Sequence, residues 1–232
     1  MRGFILILVA LIIVSCAPSR YVVPLNRKER SFGVSYGGLI VEENDVPMPL
    51  PLVNISYAKG KTDRLTYFGG LHISPLLKGY FGGEIGALRE WKWWSKLKLG
   101  LTTNAVANIM YASYSGFNIF PQFDANLYWH FKNDPHYFCD CPGDPKWNMF
   151  FYTGFQSHYN GINNYSFSEP FSDELVFSPH VGYSFGTGDW RFSTEIKWIQ
   201  PWSNNVHDDY KIWNPIMNTG AFGGFISFYN NF

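Results

Sequence analysis

Three side chains in one stretch have the types that an acyl hydrolase uses. Ser178, His180 and Glu195 lie within residues 176–199, VFSPHVGYSFGTGDWRFSTEIKWI. An acidic group orients a histidine, and the histidine activates a serine hydroxyl. A second constellation is Cys139-Asp140-Cys141, with His136 three residues before Cys139. In an oxidising compartment such a pair closes a small strained ring or supplies two soft metal ligands. The remaining ligands of a four-coordinate zinc site are not evident, so no metal is assigned. Together with Cys16 these are the three cysteines of the chain, too few for a disulfide framework. No glycine-rich phosphate loop or paired-carboxylate motif stands out, and no cofactor is expected. Eighteen basic residues balance eighteen acidic ones, which argues against a nucleic-acid partner.

The hydrolase candidates must be positioned by strands. Gly186-Thr187-Gly188-Asp189 supplies the positive φ angles of a tight hairpin. Facing Phe185 with Trp190 across that turn sets His180 opposite Glu195, with Ser178 next along the same face. The opposite face carries Phe177, Val181, Tyr183 and Phe185 against Trp198, Ile196, Phe192 and Trp190. Such alternation suits a soluble hairpin with its apolar face on a core. It equally suits a membrane barrel strand with its apolar face in lipid. Recurrence along the chain decides between them. Ten strand-sized units occupy residues 31–41, 50–59, 64–73, 79–88, 95–106, 117–131, 148–157, 175–185, 190–200 and 218–232, and no helical period is apparent between them. Short links at 60–63, 89–94 and 186–189 contrast with long ones at 158–174 and 201–217, as outer-membrane barrels require. The long excursion 132–147 breaks this alternation.

On the parity expected to face inward lie Glu84, Lys98, Asp124, Arg191, Glu195 and Lys197. Small barrels fill their interiors with side chains, and buried charges must be paired. These six residues therefore read first as a structural lumen network, and Ser178, His180 and Glu195 as a catalytic alternative within it. Bulky Phe68, Phe120 and Tyr128 on the same parity argue against an open pore. Tryptophans gather at two levels, with Trp91, Trp93, Trp94, Trp129 and Trp190 towards one end and Trp198, Trp202 and Trp213 towards the other. Indole rings prefer the bilayer–water boundary. Acidic residues (Glu42, Glu43, Asp45, Glu169, Asp173, Glu174, Asp208 and Asp209) dominate the expected outer links over Lys78 and Lys211.

Both ends of the chain carry more specific signals. Residues 1–15 pair Arg2 with an apolar run at 4–14, the form of a secretory signal and too short to span a bilayer as a helix. Ile13-Val14-Ser15-Cys16 resembles the lipobox of bacterial lipoproteins, whose cysteine becomes the acylated first residue, often with palmitate-type chains. Residues 16–30, with Pro18, Pro24 and several basic groups, read as a lipidated periplasmic tether, and 31–232 as the barrel domain. The terminal Phe232, preceded by Tyr229, Phe228, Ile226 and Phe225, resembles the closing strand that the barrel-assembly machinery reads. The whole resembles the small lipid-anchored outer-membrane barrel proteins of Gram-negative Bacteroidota. That resemblance implies an all-β, closed, antiparallel up-and-down transmembrane barrel of ten strands, with eight as the alternative. It also implies an outer-membrane location with a periplasmic lipid anchor, and contact with outer-membrane lipids. A lipid-tethered soluble β-sandwich is the competing fold. The function expected is structural or interactive rather than enzymatic. A narrow pore is one alternative; a lipid hydrolase on Ser178, His180 and Glu195 is another, since an outer-membrane lipid A deacylase uses a similar trio.

Overall fold

The computed structural model describes residues 21–43, 46–49, 52–77, 79–112, 116–132, 147–159, 175–204, 211–212 and 219–232. Ten long strands close on themselves. They are β1 (Arg30–Glu43), β3 (Leu52–Thr62), β4 (Leu65–His72), β5 (Phe81–Trp94), β6 (Leu99–Ala112), β7 (Gly116–Lys132), β8 (Trp147–Tyr159), β9 (Leu175–Thr187), β10 (Trp190–Asn204) and β12 (Thr219–Asn231). Each pairs antiparallel with its sequence neighbour, and β1 pairs with both β3 and β12, which completes the ring. With an even number of strands, the first and last run antiparallel, and the start of β1 and the end of β12 fall at one rim. There Arg30 and Phe232 exchange two backbone hydrogen bonds of 2.9 and 2.8 Å. Two short strands, β2 (Val46–Pro49) and β11 (Lys211–Ile212), add to β1 beyond the opposite rim. A four-residue helix, α1 (Ile73–Leu76), bridges β4 and β5.

Side chains alternate between wall faces, save where a bulge shifts the parity. In β9 the even residues from Val176 to Gly186 are buried and the odd ones are not. The outer face is apolar and aromatic: Tyr67, Ile85, Trp129, Val181, Trp190, Ile196 and Phe228 are all well exposed. Aromatic rings run along it near the short-turn rim, with Phe151 and Tyr183 at 4.9 Å, Phe185 and Phe192 at 5.1 Å, and Trp190 and Phe228 at 4.9 Å between centroids. Trp202 marks the other end. Among the described residues no helix is long and apolar enough to cross a membrane.

Three local expectations are corrected. The β9–β10 turn is two residues, Gly188 and Asp189, not four, with Gly188 at φ 58°. Glycine at the first central position is the type II′ arrangement, whose twist matches that of the flanking strands. The shorter turn slides the register by two, so Phe185 faces Phe192 and His180 faces Lys197. Facing is unchanged, since side chains alternate with a period of two. Secondly, Trp91, Trp93 and Trp94 do not form a turn. Strand β5 runs on through them, and a bulge between Glu90 and Lys92 shifts the parity. Extra residues of this kind re-aim the side chains beyond them. Trp93 consequently points into the lumen and stacks on Tyr128 at 5.9 Å, while Trp91 stays outside beneath the Arg89 guanidinium. The turn moves to residues 95–98, where Lys98 is exposed with φ 51° and so leaves the expected lumen network.

The third correction concerns the tether. Tyr21, Val22, Val23 and Leu25 are almost fully buried. They lie inside the barrel at the short-turn rim, in two clusters. Tyr21 and Leu25 pack with Ala58, Phe68, Leu88, Val106 and Tyr229. Val22 and Val23 pack with Tyr128, Phe150, Tyr152 and Trp93. Residues 1–20, including the signal and Cys16, lie outside the described residues, as do Cys139, Cys141, His136 and Trp213. The same holds for the side chains of Glu42, Glu43, Lys78 and the other charges expected on the outer links.

Candidate functional site: the lumen and its stopper

The middle of the lumen holds a belt of polar side chains on adjacent strands. Strand β6 contributes Asn104 and Asn108, β7 contributes Gln122, Asp124 and Asn126, β8 contributes Gln156 and His158, β9 contributes Ser178 and His180, and β10 contributes Glu195 and Lys197. All are buried. Neighbours are set side by side by the ladder, which places Asn104 opposite Asp124 and Asp124 opposite Gln156. Asn108 donates to Gln122 at 3.0 Å, and Gln122 donates to Asp124 at 3.0 Å. Lys197 donates to the Gln156 carbonyl and lies 3.2 Å from Glu195. Tyr152 donates to the other Glu195 oxygen at 3.1 Å. Ionised and neutral groups are thus knitted together, as a low-dielectric interior demands.

The hydrolase trio is brought onto one wall, where groups outside it also hold Glu195 and His180. Glu195 is held by Lys197 and Tyr152, and His180 Nε2 is 2.6 Å from Asn126 Oδ1. A relay needs carboxylate to histidine and histidine to serine. The two-residue shift instead sets Glu195 opposite Gly182 and His180 opposite Lys197. Of the expected network, Asp124, Glu195 and Lys197 join the belt. Glu84 is buried beside Gly70 on another part of the wall. Arg191 sits nearer the short-turn rim, its guanidinium 5.6 Å from the Phe150 ring.

Nothing in the sequence reading anticipated the stopper. Residues 21–25 are held by wall side chains that bond their backbone. Thr102 donates to Val22 O at 2.8 Å, Asn104 donates to Tyr21 O at 3.2 Å, and Leu25 N donates to Thr66 Oγ1 at 2.8 Å. Beyond it the chain makes a tight turn, in which Glu29 N donates to Asn26 O at 3.0 Å with Lys28 at φ 72°. Positive φ at the third residue is the type II pattern, which glycine or asparagine usually fills. That turn clips onto Gly60 through Lys28 N to Gly60 O and Gly60 N to Glu29 O. A β-carbon at Gly60 would overlap the Asn26 carbonyl, so the clip requires glycine there. The one available signal was the apolar run Tyr21-Val22-Val23-Pro24-Leu25, too apolar for a solvated tail.

These features define a class: a closed ten-strand antiparallel β-barrel with an apolar wall, a polar lumen and an internal N-terminal stopper. No family model and no curated protein sequence matches the chain. Solved structures similar to it include the NanC porin (10% identity, TM-score 0.42, 88% of this chain and 98% of that one). LpxR from Salmonella typhimurium is similar at 8% identity and TM-score 0.40, over 86% of this chain and 99% of its own. The translocator domain of the autotransporter NalP from Neisseria meningitidis is similar at 11% identity and TM-score 0.39, over 99% and 96%. Likeness at this level assigns no activity, and the barrel is read from its own ladder.

Proposed function

We propose that this chain is an outer-membrane barrel, anchored by a lipid on Cys16, whose role is structural or interactive rather than the passage of solutes. One observation carries the reading: an apolar, aromatic outer wall encloses a lumen filled by its own side chains and by residues 21–25. Lipid is the solvent that suits such a wall, because a soluble protein with this much contiguous apolar surface would aggregate. The rim with the short turns, where β1 begins and β12 ends, is the periplasmic one. Four residues separate Cys16 from Tyr21, five chain steps with a reach of at most about 18 Å, so the acyl anchor stays beside that mouth. The partners Glu195 and His180 keep lend no support to the hydrolase reading.

The test combines fractionation with electrophysiology. The native chain should fractionate with outer membranes, migrate faster in detergent gels before boiling than after, and show no discrete steps in planar bilayers. Cys16→Ser should lose acyl labelling and keep heat-modifiable migration. A mature chain soluble without detergent would overturn the membrane assignment; discrete conductance would favour a narrow pore.

A further inference from the structure

We propose that the periplasmic mouth of the lumen is a binding site for a short, uncharged apolar peptide, occupied in cis by residues 21–25, which bend at Val22 and Val23. Three of its polar contacts to that segment are to main-chain atoms, and a fourth sets Ser56 Oγ 3.5 Å from the Tyr21 hydroxyl. Thr102 and Asn104 donate to the Val22 and Tyr21 carbonyls, and Thr66 accepts from Leu25 N. Its apolar contacts sort by side chain, with Tyr21 and Leu25 in one pocket and Val22 and Val23 in the other. Main-chain bonds for affinity and separate pockets for side chains are the two halves of peptide recognition.

The segment is an inserted ligand rather than a piece of wall. The ladder begins at Arg30, and the ring closes through β1–β12 and β1–β3 pairs that include no residue before it. Removing the segment therefore breaks no strand pairing. It leaves Phe68, Leu88, Tyr128 and Phe150 without their apolar cover, and a second peptide of the same chemistry restores that cover. The clip at Gly60 is one point of release: it holds the Asn26 turn through backbone contacts, beside Arg27 N donating to Asp63 Oδ1 at 2.9 Å and Asn231 donating to Glu29 Oε1 at 2.9 Å. While it holds, the tethered segment has an effective concentration in the millimolar range, and a free peptide competes poorly.

The probe is a fluorescein-labelled synthetic peptide of residues 21–26, titrated by anisotropy against the full chain in detergent. Three proteins are compared: the native chain, Val22→Asp/Val23→Asp, and Gly60→Ala. The double variant disfavours burial of its own segment without altering the wall, and Gly60→Ala loosens the clip without altering the segment. The expected result is saturable binding to the double variant, weaker binding to Gly60→Ala, and at least about ten-fold weaker binding to the native chain. The same peptide carrying both aspartates should bind the double variant at least about ten-fold more weakly than the native peptide does, since two valine side chains lose their burial. A double variant that keeps heat-modifiable migration yet fails to bind the peptide overturns the proposal. So does a double variant that no longer forms the barrel, because the segment is then core and not ligand.

Discussion

Lys197 carries its charge where no solvent reaches it, between the Glu195 carboxylate and the Gln156 carbonyl. Removing one member of a buried pair strands the other charge, which typically costs about 3–5 kcal/mol, whereas replacing both together is often nearly neutral. Lys197→Met should therefore lower the urea midpoint of the detergent-folded barrel markedly. Adding Glu195→Gln to Lys197→Met should recover most of that loss, as a double-mutant cycle will read. Equal, additive losses would show that the pair is not the linchpin of the belt. Gly182 makes a second residue-level point. It lies against the Tyr152 ring, and a methyl there would overlap the ring carbons as well as the hydroxyl. Gly182→Ala should destabilise by about 1–3 kcal/mol, the usual cost of overpacking. Tyr152→Phe should not rescue it, since the ring itself is the obstacle.

At the scale of the element, the β9–β10 hairpin shows what a period of two conceals. A slip of one residue would turn Glu195 and Lys197 into hydrocarbon, where a lysine at mid-bilayer costs roughly 2–4 kcal/mol. Hydrophobic patterning forbids that slip. A slip of two leaves each face intact and changes every partner, and only the geometry of the turn selects between those registers. Disulfide trapping separates them on the outer wall, in a background without the native cysteines. Val181→Cys with Ile196→Cys should cross-link on mild oxidation, because these residues are direct partners. Val181→Cys with Thr194→Cys should cross-link far less. The reverse preference would restore the register that sets His180 against Glu195.

For the whole molecule, closure of the ring can be probed at Phe232. The Phe232 backbone helps to join the ends of the ring, whereas its side chain is 61% exposed and contributes little to the interior. Phe232→Ala should leave the urea midpoint of barrel refolded in detergent within about 0.5 kcal/mol of native, as is usual for surface changes. In cells the same variant should reduce the heat-modifiable fraction in outer membranes, if the assembly machinery reads the terminal aromatic. A large loss of stability in detergent would place the side chain in the fold instead.

Strand number, alternation and facing were legible from the amino-acid order alone, because each strand must present one parity to the lumen and the other to the wall outside. Asp124, Glu195 and Lys197 were placed in the lumen on that ground. The partners of those charges were not legible, since they depend on registers that differ by even steps and so look alike in the pattern. Nor was the inward turn of Trp93, because a single bulged residue reverses parity without any mark in composition. The stopper was the largest omission. Residues 21–25 carry no period and no motif, and a five-residue apolar run finds its place only when Phe68, Leu88, Tyr128 and Phe150, distant along the chain, converge to form the cavity that receives it. Away from bulges, local order determined which way a side chain points; closure of the ring determined what it meets there.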